Sequence, residues 1–128
     1  MITPTEVALV SCGGAFGATA RFLIGRASET YLTSVKFPLA TLLINIVGCF
    51  LIGYVAEVSA RGEISPHIRL LIVTGILGGF TTFSAFGLET ITLIRAGHIG
   101  IALTYVSASV IGGCIATYMA VIFMAHRG

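Results

Sequence analysis

TGILGGFTTFSAFGLET occupies residues 74–90, in the middle of an apolar run over about residues 68–94 that is long enough to cross a bilayer. A helix needs about 20 apolar residues to span the ~30 Å hydrocarbon core. Inside this run, however, Gly78 and Gly79 are followed by Phe80, Thr81 and Thr82. Glycine costs a helix interior about 1 kcal/mol relative to alanine, and threonine is also a weak helix former. A break near the middle of the span is the expected outcome. Breaks at membrane depth free carbonyl groups at the end of one half-helix and N–H groups at the start of the next, and are tolerated only where protein, ions or water satisfy them. Such a site can hold a cation at one end and favour an anion at the other. The alternative is a packing kink whose threonine hydroxyls bond to their own backbone.

Three further apolar stretches surround this one. The first covers about residues 6–24, the second about 39–58 behind Pro38, and the last about 99–124. Glu6 stands where a signal peptide would carry positive charge, so the first stretch is expected to remain as a helix. The expected architecture is an all-α integral membrane protein, a single domain of four transmembrane helices in which the third is broken near its middle. The connections left, at 25–37, 59–67 and 95–98, and the tail after residue 124 have no room for a domain outside the membrane. Any function must therefore sit inside it.

Composition agrees. Of 128 residues, 56% are hydrophobic and 9% charged, and mean hydropathy is +1.04. About a quarter of residues carry charge in a soluble domain. A net charge of +2 is too small to suggest nucleic acid as a partner. Cys12, Cys49 and Cys114 show no CxxC or Cys/His spacing, which argues against a soft-metal site. His67, His98 and His126 fall at helix ends and read as interfacial residues.

Basic residues beside the helices are nearly balanced. Arg61, Arg69 and Arg127 fall on the face that carries the chain ends, and Arg21, Arg26, Lys36 and Arg95 on the other. So small a bias gives the positive-inside rule little to act on, and a chain that inserts both ways can pair with an opposed copy about a two-fold axis in the membrane plane. The plainer alternative is a single orientation fixed by one unseen helper or one dominant residue. Gly13 and Gly17, Gly48 and Gly53, and the pair Gly112 and Gly113 are small-residue patches of the kind that lets helices approach closely in lipid.

Phe83 and Phe86 share a side of the second half-helix. Their ring edges carry partial positive charge and can meet an anion without a full charge being present. Asn45, the sole asparagine, adds an amide donor in the second helix.

The stretch at 74–90, with PLATLLINIVGCFLIG at 38–53 and GGAFGATARF at 13–22, resembles the Fluc family of bacterial fluoride channels, also called the CrcB family. The resemblance covers the first three helices, and the fourth agrees in length and hydropathy. It implies a multi-pass protein of the bacterial cytoplasmic (inner) membrane, surrounded by lipid and paired as an antiparallel dual-topology homodimer. Two fluoride pores, each lined by both subunits, would then lower cytoplasmic fluoride by passive efflux, with no enzymatic step. Phe83 and Phe86 match the phenylalanines whose ring edges contact fluoride, and Asn45 a pore asparagine. Gly78 and Thr81 match positions whose backbone carbonyls hold a central structural sodium ion. Arg21 and Glu89 match an arginine ending the first helix and a glutamate following the second phenylalanine. Thr82, Ser84, Ser109 and Thr117, together with Tyr105, look like polar lining of the pore.

Ala40, Ala85, Gly87 and Gly113 depart from the family's usual pattern, and the last two remove hydroxyl groups from the expected polar track. Donors of the amide and hydroxyl type suit fluoride, which must exchange tightly held water for close hydrogen bonds, whereas a full positive charge would trap it. The rival from another class is a small multidrug-type proton-coupled transporter. That chemistry needs a buried carboxylate in the first helix, and Glu6 lies at its very start.

Overall fold

Residues 1–31 and 36–127 are described by the computed structural model of the chain. Residues 32–35 of the expected first connection, and Gly128 of the expected tail, lie outside the described residues. The described residues are helical, without a strand, and form four helical spans long and apolar enough to cross a membrane: Pro4–Tyr31, Leu39–Ala60, Pro66–Arg95 and Ile99–Ala125.

Helix α1 (Pro4–Tyr31) starts on a capping box. The Thr3 N–H donates to Glu6 Oε2 at 2.8 Å and the Glu6 N–H to Thr3 Oγ1 at 3.2 Å, while Pro4 takes the first helical position, where it forfeits no bond. The helix runs to Tyr31, well past the apolar limit near residue 24. Its last turns are polar, and exposed Arg26 and Glu29 pair at 2.7 Å. Twenty-eight residues at 1.5 Å each reach about 42 Å, so α1 outruns the hydrocarbon core.

Helix α2 (Leu39–Ala60) ends at a turn in which Gly62 has φ +72, a value open to glycine at little cost. Arg61 at this turn donates from Nη2 to the Met124 carbonyl and so ties the end of α2 to the end of the last helix. The third span is a composite. Helix α3 (Pro66–Arg69), capped by Ser65, passes into a π-helical segment Leu70–Leu77 and then into α4 (Gly78–Phe80). Thr81 and Thr82 take extended backbone, and α5 (Phe83–Arg95) follows. Gly97, at φ +80, turns the chain into α6 (Ile99–Ala125).

Glycine sets the two main contacts. An ideal Cβ on Gly13 would lie 2.7 Å from the Leu71 carbonyl oxygen and 2.9 Å from Gly75 Cα. One on Gly17 would overlap the Ile76 carbonyl and lie 2.8 Å from the Phe80 nitrogen. Helix α1 therefore meets the third span backbone to backbone. On the other side α2 lies against α6, where a Cβ on Gly53 would come within 2.6 Å of the Thr117 carbonyl oxygen. Small residues such as Gly13, Gly53, Ala102 and Ala120 are buried, and large ones such as Phe16, Phe22, Leu103 and Ile115 face outward. With lipid as solvent, close backbone packing and not burial of large side chains holds helices together.

Candidate functional site

The site is built around the extended residues between α4 and α5. Thr81 has φ −80 and ψ 157, and Thr82 has φ −151 and ψ 117. Two side chains take over the backbone bonding that a continuous helix would supply. Asn45 Nδ2 donates to the Thr82 carbonyl at 3.1 Å, and the Thr82 N–H donates to Asn45 Oδ1 at 2.9 Å. Because a backbone N–H can only donate, this pair fixes which amide atom points where. Thr82 Oγ1 in turn caps α5, accepting from the Ala85 N–H at 3.2 Å.

Carbonyl groups are released as a consequence. In a helix the Thr82 N–H would serve the Gly78 carbonyl and the Ala85 N–H the Thr81 carbonyl. Here those donors go to Asn45 and to the Thr82 hydroxyl. The carbonyls of Gly78, Gly79, Phe80 and Thr81 thus all lack their helical donors, and hard oxygens of this kind suit a small hard cation such as sodium. The neighbouring Gly79 carbonyl accepts from Arg21 Nε at 3.1 Å, so the half-buried Arg21 reaches the backbone of the break. Thr81 also bonds back onto its own helix, Oγ1 to the Leu77 carbonyl at 2.9 Å.

A cavity of about 350 Å³ opens beside this point. Asn45, Gly78, Thr81, Thr82, Phe83, Phe86 and Ser109 all line it, with apolar walls from Val73 and Leu77. The Phe83 and Phe86 rings lie 5.5 Å apart at 37°, and Phe83 is 84% exposed. Ser109 Oγ is buried without a hydrogen-bond partner among the described residues. Asn45 has spent one N–H on Thr82 and keeps a second.

Glu89 lies in a second, adjoining group. Thr41 Oγ1 donates to its Oε1 at 2.7 Å and the Tyr105 hydroxyl to its Oε2 at 2.6 Å. Tyr105 is fully buried, with the Phe86 ring 5.2 Å away. The two remaining hydroxyl residues stand apart from the cavity. Ser84 is exposed, with Oγ 3.3 Å from Thr82 Oγ1, and Thr117 donates to the Cys49 carbonyl at 2.9 Å, joining α6 to α2. Thr41 is a site residue that the sequence reading missed. The signal was present, because Thr41 lies four before Asn45 and so on the same side of α2.

Comparison with known proteins gives a consistent result. The family described as CrcB-like protein, Camphor Resistance (CrcB), matches residues 8–121. A protein of Methylobacillus flagellatus named fluoride-specific ion channel FluC is 45% identical over 89% of this chain and 90% of its own length. Proteins of the same name from Prosthecochloris aestuarii and Agrobacterium fabrum are 42% and 44% identical, over 90% and 88% of this chain and 89% and 90% of theirs. With four spans able to cross a membrane and relatives that are channels, the chain is a multi-pass membrane protein.

Proposed function

The chain belongs to the CrcB family, and on that premise we propose that it is a fluoride-selective channel whose route passes the Asn45, Phe83 and Phe86 cavity. The observation that carries this reading is the cavity itself, which Asn45 with a spare N–H, Ser109 and the two phenylalanine rings line beside the extended Thr81 and Thr82. Fluoride gives up water only for close donors. The amide and hydroxyls provide them, and the ring edges add weak positive charge without a cation that would hold the ion too long. Beyond Phe86, the Glu89 carboxylate is met on both oxygens by hydroxyl donors, which keeps its charge from facing the route bare. A channel makes and breaks no covalent bond, so the chain is not an enzyme.

A single chain leaves the route open on one side, since Phe83 is 84% exposed. A second copy in the opposite orientation completes it, giving an antiparallel homodimer with two pores. The near balance of basic residues on the two faces supports insertion both ways. At the two-fold axis the Gly78 and Thr81 carbonyls of both copies would hold a structural sodium ion, which supplies buried positive charge beside the anion routes. The bacterial cytoplasmic membrane is the compartment in which passive efflux would lower internal fluoride.

The proton-coupled alternative is weakened by Glu6, whose carboxylate accepts from the Thr3 N–H in the capping box at the start of α1. Fluoride efflux from liposomes carrying the purified protein, with chloride as the control ion, tests the reading. Fluoride should leave without an imposed proton or sodium gradient while chloride stays. Equal loss of both anions would refute selectivity.

A further inference from the structure

Phe37 stands just before α2, outside the cavity and half-buried. Its ring meets Tyr105 edge-on, at 5.6 Å between centroids and 80° between planes. Tyr105 therefore has Phe37 5.6 Å away and Phe86 5.2 Å away, and its hydroxyl ends on Glu89 Oε2. We infer that Phe37 is a positioning residue for anion passage, a ring that holds Tyr105 in place so that its hydroxyl stays on Glu89.

The backbone makes Phe37 suited to this. Pro38 has φ −73 and ψ 64, and the Leu39 N–H donates to the Phe37 carbonyl at 2.7 Å. Together these define an inverse γ-turn, with φ already restricted by the proline ring. The Leu42 N–H then donates to the Pro38 carbonyl at 3.1 Å and opens the helix, while the Leu42 side chain joins Tyr105 in the buried cluster. One rigid turn of chain thus delivers Phe37 to Tyr105 and, four residues later, Thr41 to Glu89. The Glu89 carboxylate is gripped from α2 directly and from α6 through Tyr105.

The consequence for function rests on the fluoride reading of the neighbouring cavity. An anion that has passed Phe86 approaches a carboxylate, and the approach is tolerable only while donors occupy the carboxylate oxygens. Tyr105 has a single proton to give. If its ring tilts, Oε2 is left bare toward the anion and the barrier rises. Phe37 acts on passage through Tyr105 and need not touch the ion.

The test is fluoride flux from liposomes for Phe37→Leu, Phe37→Tyr and Tyr105→Phe, with Phe37→Leu made in both the wild-type and the Tyr105→Phe backgrounds. Phe37→Leu should lower flux roughly two- to tenfold, the span of an edge-to-face aromatic pair, and Phe37→Tyr, which keeps the ring edge, should restore it. In the Tyr105→Phe background, where no hydroxyl remains to be aimed, Phe37→Leu should have almost no further effect. A purely structural role would lower flux by the same factor in both backgrounds, and that result overturns the inference, as does wild-type flux in Phe37→Leu. Should Phe37→Leu not give a folded protein, Phe37→Met, which keeps bulk and loses the ring edge, carries the same comparison. Wild-type protein that passes no fluoride would overturn the channel reading and this inference together. Wild-type flux in both the parent and Phe37→Leu overturns the inference alone.

Discussion

Replacing Asn45 by Ala or Leu removes two bonds at once, the 3.1 Å bond to the Thr82 carbonyl and the 2.9 Å bond from the Thr82 N–H. Side-chain bonds between helices in a bilayer average about 0.6 kcal/mol and reach about 1.7 kcal/mol, so the pair is worth roughly 1–3 kcal/mol on that scale. Leaving two backbone groups unsatisfied sets a higher bound, about 1–3 kcal/mol each. Thr82 borders the 350 Å³ cavity, where water can replace part of what is lost, so the lower half of the combined range applies. We expect a loss of about 2–3 kcal/mol. The assay is reversible unfolding in detergent or lipid, read against Thr19→Ala as the control. Thr19 is exposed and bonds only to the Ala15 carbonyl of its own helix, so its loss should stay within about 0.5 kcal/mol. Asn45→Ala should also lower fluoride flux, because the same amide holds Thr82 and offers its second N–H to the cavity. Asn45→Ala and Asn45→Leu variants as stable as the control, with unchanged flux, would refute the reasoning.

Phe83→Ile and Phe86→Ile keep apolar bulk but lose the ring edge, and should reduce fluoride flux while size exclusion still shows the assembled protein; undiminished flux in both would mean that the rings only pack. Gly17→Ala pushes a Cβ into the backbone of Ile76 and Phe80 and should cost about 1–3 kcal/mol in unfolding measurements. Gly25→Ala, where an added Cβ would meet no described atom within 4 Å apart from its own helix backbone, should instead stabilise by up to about 1 kcal/mol. Replacing sodium by a large organic cation throughout purification should weaken the dimer and its flux, and Gly78→Val should blunt that sodium dependence by altering the backbone that presents the carbonyls; dimers indifferent to sodium would remove the ion from the account.

Four apolar spans were legible in the sequence because lipid demands long continuous runs. Helix length was less so. Nothing in a hydropathy profile tells how far α1 continues once it leaves the apolar region, and its polar turns through Tyr31 include local bonds such as Arg26 with Glu29. The π-helical segment Leu70–Leu77 carries no residue pattern of its own, and it lies where Gly13 brings α1 against the backbone of Leu71 and Gly75. Contact between helices is what local propensity cannot report. The Gly-Gly-Phe-Thr-Thr run showed where a helix would be poor, yet only the fold reveals that Asn45, 37 positions away, bonds Thr82. The match of Glu89 to a family glutamate says nothing of its partners, and only the fold puts Thr41 and Tyr105 on its two oxygens. The Thr117 hydroxyl, which the resemblance assigns to the pore, donates to a carbonyl of α2, a partner that sequence spacing does not disclose.

Reversal potential in a planar bilayer tests the central claim most directly, because it separates passive fluoride conduction from both chloride leak and proton coupling. With a tenfold fluoride gradient set against an opposite tenfold chloride gradient, a fluoride-selective channel should reverse at about 59 mV, with the sign set by fluoride, and an added pH gradient should not move it. Reversal at the chloride potential, or a value that follows the pH gradient, would contradict the account.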